Sequence, residues 1–132
     1  MLGSVDFTEE VIVADFEAGV GTLTRLGDQR VDTVLVVVEA TPKSLEVGAR
    51  AVALAREKSL GRIVVVANRM RSDADLETVR AAIPGTEIVA VPDDPAIVEA
   101  DRKGVAPIDL HPDAPAVRAL VDLANGLLPA TV

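Results

Sequence analysis

Four short apolar runs and four stretches of helical spacing punctuate this chain: two runs separated by a loop, then helices and runs in turn, then two helices separated by a further loop. The first run is Val11 to Ala14, closed by Asp15. The second, TVLVVV from Thr33 to Val38, is apolar nearly throughout and rich in β-branched residues. RIVVVA from Arg62 to Ala67 and EIVAV from Glu87 to Val91 follow the same pattern. Continuous apolar strands of this kind are buried on both faces, as in a parallel sheet.

The helical stretches carry their own punctuation. Thr41 is an N-cap with Pro42 in the first turn, and Leu45, Ala49, Val52 and Ala55 form the stripe of a helix from about Pro42 to Lys58 that Gly61 stops. Ser72 or Asp73 caps a second helix carrying Leu76, Val79 and Ile83. Asp94 caps a third from Pro95 to Arg102, ended by Gly104. Asp113 caps a last helix with Val117, Leu120, Val121, Ala124 and Leu128 on one face. Between them, Gly104 to Pro115 reads as an extended surface segment.

Strands alternating with amphipathic helices specify an α/β fold: an open parallel sheet of about four strands, right-handed crossovers, and helices on both faces, a three-layer α/β/α arrangement. The 132 residues form a single domain, with residues 1–10 expected to be loosely ordered.

Composition narrows the functions. Thirteen basic and 21 acidic side chains give a net charge of -8, a field that repels phosphate backbones and argues against nucleic acid. Two phenylalanines are the only aromatics, so there is no stacking platform for bases. The absence of cysteine excludes thiolate metal sites and cysteine nucleophiles. No apolar run approaches the roughly 18 residues of a membrane span, and the start does not read as a signal peptide. The expectation is a cytoplasmic protein that does not enter membranes.

Ligands of open parallel sheets bind beyond the carboxyl ends of the strands. Four loops converge there: Asp15 to Thr22, Glu39 to Pro42, Asn68 to Ser72 and Pro92 to Pro95. DFEAGVGT places a carboxylate at a strand end before two glycines, a pattern suited to magnesium and phosphate and equally to a capped turn. It is no Walker A loop, because no lysine precedes Thr22. Asn68 ends a buried strand, and its amide offers both donors and acceptors to a purine edge or simply sits in a turn. Guanine is disfavoured because Arg71 stands where an aspartate would hold the base. Asp93 and Asp94 form an acidic pair that reads first as a helix cap. Lys43 reads as solvated and His111 as structural.

Together, VIVADFEAGVGTLTR, VDTVLVVVEATPKSLEVGARAVALA, IVVVANRMR and AVPDDPAIVEADRKGVAP resemble the C-terminal part of the MinD/CooC/ParA-like branch of P-loop ATPases. These are deviant-Walker proteins of the SIMIBI class, and the CooC-like nickel-insertion ATPases are especially similar in pattern. The resemblance runs from about Glu10 to Leu128. It implies that Asp15 matches the Walker B aspartate, which acts on magnesium through water, and that Gly19 matches the switch II glycine. It also implies that Asn68 contacts adenine with Arg69 flanking, and that Pro92 and its neighbours, including Asp94, line the base pocket. The cofactor so implied is ATP or ADP with Mg2+.

The departures from that pattern shape the expected function. The sequence has no lysine-rich Walker A segment and none of the cysteines that hold a metal in CooC-like proteins. Walker A amides and lysine provide most triphosphate binding and transition-state stabilisation. The expectation is a catalytically inactive binding or regulatory module with weak or no nucleotide binding alone, acting with a protein partner or as a homo-oligomer through an exposed sheet edge. The alternatives are half of a split ATP-binding protein completed in trans, or a fragment of a longer CooC-like ATPase. Receiver-like and flavodoxin-like readings fit less well: the third strand ends in Asn68 rather than a phosphoacceptor aspartate, and no aromatic stack serves a flavin.

Overall fold

Valine-rich runs without polar interruption can hide only by pairing side by side under helices, and three of the four runs do so. The computed structural model describes residues 11–16 and 31–128. Strands β1 (Thr33–Val38), β2 (Arg62–Met70) and β3 (Glu87–Pro92) form a parallel sheet in the order β1-β2-β3. Val36 pairs with Val65, and Val65 with Ile88, so the register holds the valines in rows across the sheet. The helices are α1 (Pro42–Glu57), α2 (Asp73–Ala82), α3 (Pro95–Lys103), the single turn α4 (Pro107–Leu110) and α5 (Pro115–Leu127).

Strand alternation divides the core between the two faces. On one face Val36, Val38, Val65 and Ala67 meet Leu45 and Val52 of α1 and Val79 of α2, with Ile83 just beyond it. Both β-α-β connections therefore cross on the same side, as right-handed crossovers stepping in one direction must. Gly48 lies where α1 crosses Val38, and a Cβ there would overlap Val38 Cγ1. On the other face Val66 and Val91 pack against Ala116 of α5, with Ile97, Ala119 and Leu123 around them. That cover stops short of β1: Leu35 is 41% and Val37 62% exposed.

The caps follow the sequence reading in part. Thr41 Oγ1 accepts from the Ser44 N–H at 3.4 Å, and Ser72 Oγ accepts from the Asp75 N–H at 3.2 Å. Gly104 closes α3 in the left-handed region at φ 65°. Gly61, at φ 112°, turns the chain into β2 where a Cβ would meet the carbonyl oxygens of Val31 and Asp32. At the base of the sheet Arg62 forms a two-pronged pair with Glu87 and donates to the carbonyl of Gly126, linking β2, β3 and α5.

Five expectations need correction. Val11 to Ala14 is not a strand: it is irregular and exposed, Val13 at 84%. A strand exists only with a hydrogen-bonding neighbour, and an apolar run alone does not supply one. The sheet thus has three strands among the described residues. β2 continues three residues past Ala67, because Met70 pairs with Pro92 across an irregularity. Residues 104–115 include the turn α4 rather than being wholly extended. On α5, Val117 is buried as expected, but it is joined by Ala116, Ala119 and Leu123, while Leu120, Val121, Ala124 and Leu128 are exposed. Finally, Asp113 does not cap α5; that role falls to Asp94, 22 residues before the Ala116 amide from which it accepts. The expectation of loosely ordered residues 1–10 lies outside the described residues.

Candidate functional site

The carboxyl ends of three parallel strands bring Glu39, Asn68, Arg69, Pro92 and Asp93 to one edge of the sheet. Each arrives for a local reason. Glu39 follows β1, and its backbone N–H donates to Ser44 Oγ at 2.9 Å, which fixes the turn into α1. Pro92 ends β3 opposite Met70, and the Asp93 N–H donates to the Met70 carbonyl at 3.0 Å. Asn68 and Arg69 occupy the irregularity of β2 between those pairings.

Arg69 sits at φ 57°, in the left-handed region that a non-glycine residue enters at a cost of about 1–2 kcal/mol. That backbone sends its guanidinium across the strand ends. Nη1 lies 3.3 Å from Glu39 Oε1 and Nε lies 3.5 Å from Asp93 Oδ1. One cation thus spans two carboxylates, and the ends of β1, β2 and β3 are joined by a single side chain. The cluster carries one net negative charge. Carboxylates only accept hydrogen bonds, so this edge suits the amino group of a base and repels a bare phosphate.

Asp94 stands beside the cluster with a different role. Its Oδ1 accepts from the Ala96 N–H at the start of α3, and its Oδ2 from the Ala116 N–H at the start of α5, both at 3.0 Å. The Ala116 and then the Ala96 hydrogen bonds hold its carboxyl below the usual carboxylate range. Asp94 therefore pins two helix N-termini, and both of its oxygens are engaged. A shallow open cleft of about 360 Å³ lies next to it, lined by Leu110, His111, Asp113 and Pro115 among others. His111 Nε2 lies 2.8 Å from Glu99 Oε2, and Lys103 Nζ lies 3.0 Å from Glu99 Oε1. Lys103, then His111, holds the Glu99 carboxyl low. This contact ties the segment after α3 back onto the helix, in keeping with a structural histidine.

The remaining expected residues are placed apart or not at all. Asp15 is exposed in the irregular segment 11–16. Gly19 lies outside the described residues. Among the described residues no group of three or more histidine, cysteine or acidic side chains converges as a metal site. Magnesium is held by one or two carboxylates together with phosphates and water. Asp15 alone does not make such a site, so the described residues do not fit the ion by themselves. The sequence places Glu39 in one of the converging loops but assigns it no role. Its only signal was its place after an apolar strand, and the partner that makes it part of a cluster is 30 residues away.

The architecture is that of an open parallel α/β sheet of the MinD-like P-loop type. No family model matches the chain. It is 29% identical over 123 residues to the carbon monoxide dehydrogenase accessory protein CooC of Rhodospirillum rubrum, covering 92% of this chain and 44% of CooC. It is 24% identical over 124 residues to the uncharacterized ATP-binding protein MJ0547 of Methanocaldococcus jannaschii, covering 92% of this chain and 47% of that protein. Among solved structures, the MinD cell division protein of Aquifex aeolicus superposes with a TM-score of 0.61 at 25% identity, over 76% of this chain and 45% of MinD. The resemblance to MinD/CooC-like ATP-binding proteins read from the sequence is borne out. The chain spans about half the length of the curated relatives it matches. No helix among the described residues is long and apolar enough to cross a membrane.

Proposed function

We propose that these residues form the base-side half of a MinD/CooC-like nucleotide-binding fold and act as a binding or regulatory module that does not hydrolyse ATP alone. The observation that carries this is the cluster at the carboxyl ends of the strands. Asn68 and Arg69 stand there between Glu39 and Asp93, where an open parallel sheet holds its ligand. CooC and MJ0547 support the family reading, and the name of MJ0547 states ATP binding. In this reading Asn68, Arg69 and Pro92 meet the adenine, Asp94 keeps the pocket wall in place as a helix cap, and Asp15 and Gly19 belong to the phosphate side, where a magnesium ion would need ligands from residues other than these.

The sequence contains no G-x-x-x-x-G-K-[ST] segment, so the amides and lysine that bind and stabilise a transferring phosphoryl group must come from residues other than these. The match to about half of each relative favours completion of the site by a further segment, in trans or in a longer chain. A protein partner or a second copy is part of this proposal, with the cytoplasm as its setting.

The experiment is a titration of isotope-labelled protein with ADP and ATP in the presence of magnesium, followed by amide NMR. Shifts confined to Asn68, Arg69 and Pro92 and their neighbours are expected. No shift at millimolar nucleotide overturns the base-side reading. Magnesium-ATP turnover that survives Lys43→Ala and disappears with Asp15→Ala overturns the inactivity.

A further inference from the structure

The last turn of α5 is weakly joined to the rest of the molecule. The apolar core on that face takes in Ala116, Ala119 and Leu123 of the helix, and Ala124, Asn125 and Gly126 beyond them are exposed. Space around Gly126 is open: a Cβ there would meet nothing within 4 Å. Asparagine and glycine are both poor helix formers. The tether at this turn is Arg62. Its guanidinium is held in line by the two-pronged pair with Glu87, and its Nη1 donates to the Gly126 carbonyl at 3.1 Å. That carbonyl is among the last of the helix, which have no partner inside it.

The order Asn125-Gly126 has a chemistry of its own. With no side chain on Gly126, its nitrogen reaches the Asn125 amide carbon without hindrance. A closed helix prevents this, because the Gly126 N–H points at the carbonyl four residues back and the helical backbone keeps the two atoms apart. The reaction therefore belongs to the frayed turn, and its rate scales with how often the turn opens.

We infer that Asn125 is a site of self-modification, deamidated when the last turn of α5 frays, and that Arg62 sets the rate by holding that turn closed. The Gly126 nitrogen attacks Asn125 Cγ. The new C–N bond forms as the bond to the side-chain nitrogen breaks, and the Gly126 proton passes through solvent to the departing ammonia. Water then opens the cyclic succinimide at either carbonyl, giving aspartate or isoaspartate, with no oxidation or reduction. Either product puts a negative charge in the last turn, where the helix dipole disfavours it. Isoaspartate also adds a methylene to the backbone and breaks the hydrogen-bond register of the helix. The Arg62 tie between the base of the sheet and α5 is then lost. This inference is independent of the nucleotide reading.

The chain has two asparagines, and Asn68, followed by the bulky Arg69, is the internal reference. The full chain is incubated in mildly alkaline buffer. Peptide mass spectrometry and isoaspartyl methyltransferase labelling read both positions over time. Conversion is expected at Asn125 and not at Asn68. It is strongly slowed in Gly126→Ala, which fills open space and strengthens the helix. Arg62→Ala speeds it by about threefold to tenfold, the scale of one hydrogen bond. Val79→Ala lowers global stability from the opposite face of the sheet and leaves the rate unchanged. An unconverted Asn125 in the folded chain, under conditions where the urea-unfolded chain converts, overturns the site. Arg62→Ala converting no faster than wild type overturns the guard. Equal acceleration by Val79→Ala makes global unfolding the route and overturns the local one. The comparison of wild type with Gly126→Ala stands whether or not Arg62→Ala folds.

Discussion

Position 69 offers a direct reading of how the strand ends are built. Arg69 holds a left-handed backbone, φ 57°, in order to reach Glu39 and Asp93. In a strand or helix interior, glycine is less stable than alanine by roughly 0.5–1 kcal/mol. In the left-handed region a Cβ costs about 1–2 kcal/mol, and this outweighs the greater freedom glycine has in the unfolded chain. Arg69→Ala and Arg69→Gly both remove the two ion pairs, which are half-exposed and worth about 0–1 kcal/mol each. Their difference therefore isolates the backbone. The glycine variant is expected to be more stable than the alanine variant by about 1 kcal/mol, an inversion of the usual order. Urea unfolding followed by far-ultraviolet circular dichroism measures it, since the chain has neither Trp nor Tyr for fluorescence. An alanine variant as stable as the glycine variant, or more so, refutes a left-handed residue 69. It would also remove the geometry that lets one guanidinium span three strand ends.

Gly48→Ala adds a Cβ against Val38, a stiff and fully buried side chain, so an overpacking cost of about 1–3 kcal/mol exceeds the helix-propensity gain of about 1 kcal/mol. A net loss of stability is expected in wild-type background and a net gain in the presence of Val38→Ala, read by the same unfolding assay as a double-mutant cycle. Asp94 has a folded-state pKa below its ordinary 3.8, so its contribution is present above that value and is lost as pH falls through the lower folded value. Asp94→Ala is accordingly expected to lower the melting temperature at pH 7 and to flatten the acid side of the stability curve, seen in thermal melts from pH 7 to pH 3. If the variant keeps the parent's full acid dependence, the double cap is not what the carboxylate does. His111→Ala removes the Glu99 contact and is expected to raise amide exchange across residues 104–114 while leaving the sheet unchanged; exchange unchanged in that segment contradicts the tie.

Much of the molecule was legible because it follows from local rules. Three valine-rich runs became strands at nearly the expected places, since such runs are stable only when buried. Thr41, Ser72 and Asp94 were readable as caps because a cap acts on amides two or three residues ahead. The α1 stripe was readable from its spacing, apart from Gly48, whose burial depends on Val38 approaching from another element. Val11 to Ala14 misled for the complementary reason. Its pattern matches the other runs, yet no described strand pairs with it.

The sequence by itself determined the alternation of strands and helices, the acidic charge, the absence of thiol chemistry, and the likeness to MinD/CooC-like proteins. Each of these is carried by composition or by neighbours a few residues apart. Only the tertiary structure decided that Arg69 joins Glu39 and Asp93, that Asp94 caps a helix beginning 21 residues later, and that Leu35 and Val37 stand uncovered. Those facts depend on register and on which face a helix crosses. A parallel sheet sets both through contacts between residues tens of positions apart, where no local periodicity reaches.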